Sequence, residues 1–166
     1  MGQARNTPKK YRAGAFVRFN NAVVRSLLKA GAKIGTFAIL IVPGRKTGRL
    51  IQIPLVVFPH DHERYLIASY GVVNWVRNLR AAQGRSQLRR GRRVEEIIAV
   101  ELPPDQAGPI LGDSLRSGPP GIPRLIVRTY RRFFVLPYLD VDMDSSPEQF
   151  RRSALNHPVF WVKPLT

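Results

Sequence analysis

The chain has 166 residues, 44% of them hydrophobic, and carries 27 Lys and Arg against 11 Asp and Glu, a formal net charge of +16. That length and apolar content suit one ordinary core and exclude a disordered basic tail. The lack of cysteine excludes a disulfide framework, a thiol nucleophile and any cysteine-held zinc or iron–sulfur site.

Residues 1–12 are polar and basic and read as a flexible tail, with a single domain expected over 13–166. Ala13 to Lys33 reads as an amphipathic helix: Phe16, Phe19, Val23, Leu27, Ala30 and Ile34 fall on one stripe, and Arg18, Arg25, Lys29 and Lys33 oppose it. Such a helix packs on a sheet or lies on an anionic membrane surface. Thr36–Val42, Arg49–Phe58 and Arg64–Ser69 read as three strands of a meander, joined by turns at Pro43–Gly48 and Pro59–Glu63. Trp75–Ala82 follows as a short helix with Asn74 as its expected cap. Ser86–Arg90 and Arg93–Glu101 flank a Gly91-Arg92 hairpin turn. Short helices are expected over Gln106–Leu111 and Arg124–Phe134. Ser146-Pro147-Glu148-Gln149 has the composition of a capped helix start, and Val159–Val162 reads as a last strand. About six mostly antiparallel strands with peripheral helices predict an α+β fold or small barrel.

No stretch approaches the ~20 apolar residues of a membrane span. No secretory leader is read, so a cytoplasmic protein is expected. The first acidic residue is Asp61, and eleven basic residues precede it. Further cations cluster over Arg77–Arg93 and Arg124–Arg132. This balance favours an anionic partner or reflects solubility alone. A nucleic-acid role is disfavoured, because aromatics are not interleaved with the arginines as stacking platforms would be.

Gly44-Arg45-Lys46-Thr47-Gly48-Arg49 is the richest segment. It offers three cations, a hydroxyl and a set of expected unpaired backbone N–H groups at a bend where glycines admit close approach. A phosphate or carboxylate site and a solvated hairpin tip both remain open on these residues. It is neither a phosphate-binding Walker loop nor a dinucleotide fingerprint. Trp75 and Asn78 share a helix face, which suits either a planar ring with polar edges or plain core packing. His60-Asp61-His62 and the Asp140, Asp142, Asp144 series read as solvated turns, with no metal site expected. His157 shows no evident partner in the sequence.

Taken together, the Gly44–Arg49 turn, Ile53-Pro54-Leu55, Tyr65, Ala68-Ser69, the Trp75-Val76-Arg77-Asn78-Leu79-Arg80 helix and His157-Pro158-Val159-Phe160 resemble the deazaflavin-dependent nitroreductase family of actinobacteria. The resemblance implies a split β-barrel, as in FMN-binding proteins, and an oxidoreductase that uses coenzyme F-420, with FMN as the alternative. Arg45, Lys46, Thr47, Gly48 and Arg49 would then hold the phosphate and glutamate tail. Pro54 and Leu55 would line the ring, Ser69, Tyr70 and Gly71 its reactive edge, and Trp75 and Asn78 would close the pocket. Ser69 and Tyr70 are the catalytic candidates. Hydride would pass from the reduced coenzyme to a quinone, nitroaromatic or unsaturated carbonyl compound. A carrier that binds F-420 without turnover is the rival reading. Peripheral contact with the inner membrane surface through Ala13–Lys33 is expected, no nucleic acid is, and dimerisation is left open. The loop from Gly71 to Trp75 is shorter here than in better-known members, and the family's C-terminal tyrosines have Tyr130, Tyr138 and Phe150 as candidates for their place.

Overall fold

A computed structural model describes residues 36–117 and 135–165, together with isolated positions 125, 128, 129 and 132. The tail, the helix expected over Ala13–Lys33 and most of the one expected over Arg124–Phe134 lie outside the described residues.

Six strands close into one barrel. They are β1 (Phe37–Pro43), β2 (Leu50–His60), β3 (Glu63–Ile67), β4 (Arg85–Arg90), β5 (Arg93–Glu101) and β6 (Val159–Pro164). Their order around the barrel is β1-β2-β3-β6-β5-β4, and every pairing is antiparallel. Closure leaves none of the described strands at a free sheet edge. Helix α1 (Asn74–Ala81) follows β3, α2 (Pro104–Ser117) follows β5, and α3 (Pro147–Ala154) precedes β6. This is the expected split barrel.

The local chemistry explains most boundaries. The two-residue turn between β2 and β3 places Asp61 and His62 at φ of 47° and 64°, the left-handed pair that a tight hairpin needs. Gly91, at φ 60°, supplies the same freedom between β4 and β5. At α3 the Ser146 hydroxyl accepts the Gln149 N–H while the Gln149 side chain accepts the Ser146 N–H, a complete capping box with Pro147 next in line. Two expectations are corrected. Val73, not Asn74, is the cap residue of α1, and no side chain caps that end. Helix α2 extends well beyond Gln106–Leu111 and carries Pro109 inside it.

Two apolar cores organise these elements. Inside the barrel, Ala38, Leu40, Val42, Val57, Leu66, Leu88, Ile97, Phe160 and Val162 meet Val76 and Leu79 of α1, which therefore plugs the barrel. Outside it, α2 and α3 pack Ile110, Leu111, Leu115 and Phe150 onto Phe58 and Val159. On β1 the alternate residues Ile39 and Ile41 are also buried, on the outer face. Burial on both faces is why this strand reads as a continuous apolar run.

Candidate functional site

The basic turn joins β1 to β2 and is closed by its own backbone. Gly44 N–H donates to the Arg49 carbonyl at 2.9 Å, and the N–H groups of Thr47 and Gly48 both reach the Gly44 carbonyl, at 3.1 and 2.7 Å. Gly48 has φ 67°, and nothing lies within 4 Å of the place a Cβ would take, so the turn is open to solvent there. The expectation of unpaired N–H groups is thus corrected: the tightness of the bend consumes most of them internally. Arg45, Lys46, Thr47, Gly48 and Arg49 remain exposed, so the side-chain cations are what the turn presents.

Arg45 fixes the turn to α1. Its backbone N–H and its Nη1 both donate to Asn78 Oδ1, at 3.3 and 2.9 Å, and its Nη2 reaches Asn74 Oδ1 at 3.4 Å. Asn78 is 3% exposed, so its carbonyl acts as a buried clamp. The first turn of α1 has neither a side-chain cap nor an acidic residue. Its leading N–H groups and positive dipole end therefore lie beside the guanidinium of Arg45, an arrangement that favours an anion.

The second segment, Ser69-Tyr70-Gly71, runs from the end of β3 toward the same helix terminus. Gly71 has φ 77°, and its N–H donates to the Ala68 carbonyl at 2.8 Å, which turns the chain sharply. The Tyr70 ring meets Tyr138 edge-on, with centroids 5.4 Å apart. Tyr138 thus comes to the loop from the C-terminal part of the chain, whereas Phe150 is buried between α2 and α3. The turn and the loop converge on the N-terminus of α1, the turn through Arg45 and Asn74, the loop through Val73.

Other expected residues are placed differently. Leu55 and Trp75 pack against the barrel interior, and Trp75 tilts over Phe160 with centroids 5.7 Å apart. Pro54 pairs with Ile39 on the opposite face of β2, so the side chains of Pro54 and Leu55 cannot line one wall. His157 does have partners. It is buried, its Nδ1 lies 3.3 Å from the Ala68 carbonyl, and its Nε2 lies 3.9 Å from Asp140 Oδ1. Burial holds its pKa below 6.5, against the opposing pull of the Ala68 carbonyl and of Asp140. Asp142 is engaged by the Asp144 N–H and the Ser145 hydroxyl, and no cluster fit for a metal occurs among the described residues. Two open hollows, of about 230 and 300 Å³, lie at Pro104–Leu155 and beside Leu79–Gly84, away from the turn.

A family model described as F420H(2)-dependent quinone reductase matches residues 11–133. The chain belongs to this family. The reductase match takes in the basic turn, the Ser69 loop and α1, and ends before Tyr138 and His157. No curated protein matches the chain. Among solved structures, an F420-H2 dependent reductase (FDR-A) is 16% identical, covering 77% of this chain and 94% of its own, with TM-score 0.38. A structure described as a domain-swapped dimer is 18% identical, covering 89% and 97%, with TM-score 0.45. An FMN-binding protein from Nostoc punctiforme, related to pyridoxamine 5′-phosphate oxidase, is 14% identical, covering 94% and 82%, with TM-score 0.38.

Proposed function

We propose that this quinone reductase grips the anionic tail of F-420 between the Arg45–Arg49 turn and the uncapped end of α1, and presents the ring to the Ser69-Tyr70-Gly71 loop. The observation that carries the reading is the Arg45–Asn78–Asn74 link, which brings exposed cations to the N-terminus of α1, an end that no side chain caps. The residues fit such a ligand. Lys46 and Arg49 form no ion pair with a described carboxylate, and Gly48 leaves open space at the surface of the turn. Reduced F-420, when bound, supplies the hydride, so the chain needs no redox-active side chain of its own.

The roles of the protein groups follow from their positions. Lys46 and Arg49 bind phosphate and carboxylate oxygens of the tail, Arg as a planar fork and Lys as a point charge. Thr47 adds a hydroxyl donor. The Asn78 carbonyl acts through Arg45, since it accepts both Arg45 hydrogen bonds. Ser69 and Tyr70 supply hydroxyls at the acceptor side, where a quinone oxygen gains charge during reduction. The acceptor class is a quinone, with nitroaromatic and unsaturated carbonyl compounds as further candidates. We further propose that the Ala13–Lys33 segment, whose sequence reads as a basic amphipathic helix, contacts the inner membrane surface and brings a lipophilic quinone within reach, a contact that flotation with anionic vesicles tests.

Fluorescence titration with F-420 tests the grip. Ser69→Ala and Tyr70→Phe are expected to lower kcat about tenfold or more while leaving F-420 affinity within about twofold. Equal loss of affinity in these variants would move the ring elsewhere. FMN is the alternative cofactor, and the absorption spectrum of the loaded protein separates the two.

A further inference from the structure

The Ser69-Tyr70-Gly71 loop is held from behind by a segment that the reaction itself does not use. Ala68 N–H donates to the Pro158 carbonyl at 2.9 Å, and a Cβ on Gly71 would come within 3.3 Å of the Asn156 carbonyl. Between these two ties sits His157, 3% exposed, with Nδ1 3.3 Å from the Ala68 carbonyl. That contact puts the ring proton on Nδ1 and leaves the Nε2 lone pair facing Asp140 Oδ1 across 3.9 Å. The same carboxylate oxygen accepts the Ser153 hydroxyl of α3. Asp140 lies two residues beyond Tyr138, whose ring meets Tyr70. One imidazole therefore spans the loop backbone and the segment that carries the second tyrosine.

This bridge has two states. With a neutral ring, Nε2 and the carboxylate oxygen are both acceptors, and 3.9 Å is too long for a hydrogen bond. With a proton on Nε2, the pair becomes a charge-assisted hydrogen bond that closes the gap. The other groups packed around the ring leave Asp140 as its charged partner. The loop offers Ser69 and Tyr70, and α3 offers the neutral Ser153. Glu148, Arg151 and Arg152 of α3 are exposed, with Arg151 paired to Asp105 and Glu148, and Lys163 of β6 lies over the Trp161 ring.

We propose that His157 is a positioning residue for hydride transfer, with Asp140 as its partner: the imidazole sets the Ser69–Gly71 backbone and the spacing of Tyr138 from Tyr70 according to its own protonation state. The proposal rests on the reading that this loop faces the reacting ring.

The test uses the full chain with F-420 and a soluble quinone such as menadione. His157→Ala is expected to lower kcat on the order of tenfold or more, with F-420 affinity within about twofold, because the tail grip is elsewhere. His157→Gln keeps a donor for Ala68 and is expected to restore most of the rate at neutral pH. It is also expected to abolish the change in kcat that wild type shows on acidification below about pH 6.5. Asp140→Asn, at a partly exposed site, is expected to move that change to lower pH, and it keeps the test alive if His157→Ala fails to fold. Wild-type kcat in His157→Ala, or a wild-type pH profile in His157→Gln, would overturn the proposal. Hydrogen exchange at amides 69–71 separates it from the site reading. Unchanged exchange in His157→Ala, with Ser69→Ala still lowering kcat, sinks the positioning role alone. Faster exchange with unchanged kcat sinks the placement of the loop beside the ring, and the proposal with it.

Discussion

Gly84 shows how much one missing Cβ controls in this barrel. It has φ 78°, and an added Cβ would sit 2.3 Å from the Ala99 carbonyl oxygen, while its own carbonyl accepts the Ala99 N–H at 2.9 Å. Gly84→Ala is therefore expected to cost about 3 kcal/mol or more, through backbone strain and displaced β5 pairing, read as a lower urea midpoint. His157 makes a second residue-scale prediction, on stability rather than rate. Burial holds its folded pKa below the ordinary 6.5, so the unfolded chain takes up the proton more readily. Its contribution is complete above about pH 6.5 and is lost as pH falls from there toward the folded value. The urea midpoint of wild type is expected to drop between pH 7.5 and 5.5 by more than that of His157→Gln. An equal drop in both would remove the linkage.

Among the elements, the pair α2 and α3 depends on small residues at the crossing. A Cβ on Gly108 would lie 2.9 Å from the backbone of Arg151, and one on Gly112 would lie 3.2 Å from the Phe150 ring. Gly108→Ala is expected to push the helices apart and to lower Tm by several degrees, despite the better helix propensity of Ala. The barrel has its own cross-tie. Arg64 of β3 and Glu95 of β5 form a two-pronged pair with both N···O distances 2.7 Å. Its hydrogen bonds hold the Glu95 carboxyl below its ordinary 4.5, so the benefit is present above about pH 4.5 and vanishes as pH falls through the folded value. With both side chains about 30% exposed, solvent limits it to about 1 kcal/mol, which Glu95→Gln should remove at pH 7 and remove progressively less as pH falls below about 4.5. The strands and hairpins were legible in the sequence because period and turn residues are local signals. The α3 capping box was legible for the same reason. The cap of α1 was not, because Asn74 turns to Arg45, 29 residues away, instead of to its own helix. Nor were the partners of His157, since they arrive from Ala68 and Asp140.

At the scale of the whole molecule, charge is distributed unevenly. Arg64, Arg80 and Arg151 are matched by carboxylates, whereas the cations of the β1–β2 turn have no described acid beside them. The composition of the turn suited an anion site and a solvated hairpin tip alike. Its orientation toward α1 was hidden, because Asn78 lies 33 residues from Arg45 and carries no signal in sequence that it will fasten the bend. The barrel brings these two segments together at the helix end where the loop bearing Ser69 and Tyr70 also arrives, which is what a cofactor with an anionic tail and a reactive ring requires. Binding of F-420 to wild type and to the Lys46→Ala, Arg49→Ala double variant, followed by fluorescence at about 50 mM and about 500 mM salt, tests this most directly. Arg45 is left intact, so the turn keeps its attachment to α1. Micromolar or tighter binding by wild type, weakened about tenfold or more in the variant at low salt with the gap narrowing at high salt, is the expected result. Equal affinity of the two proteins at low salt, or no binding by wild type, would contradict the account.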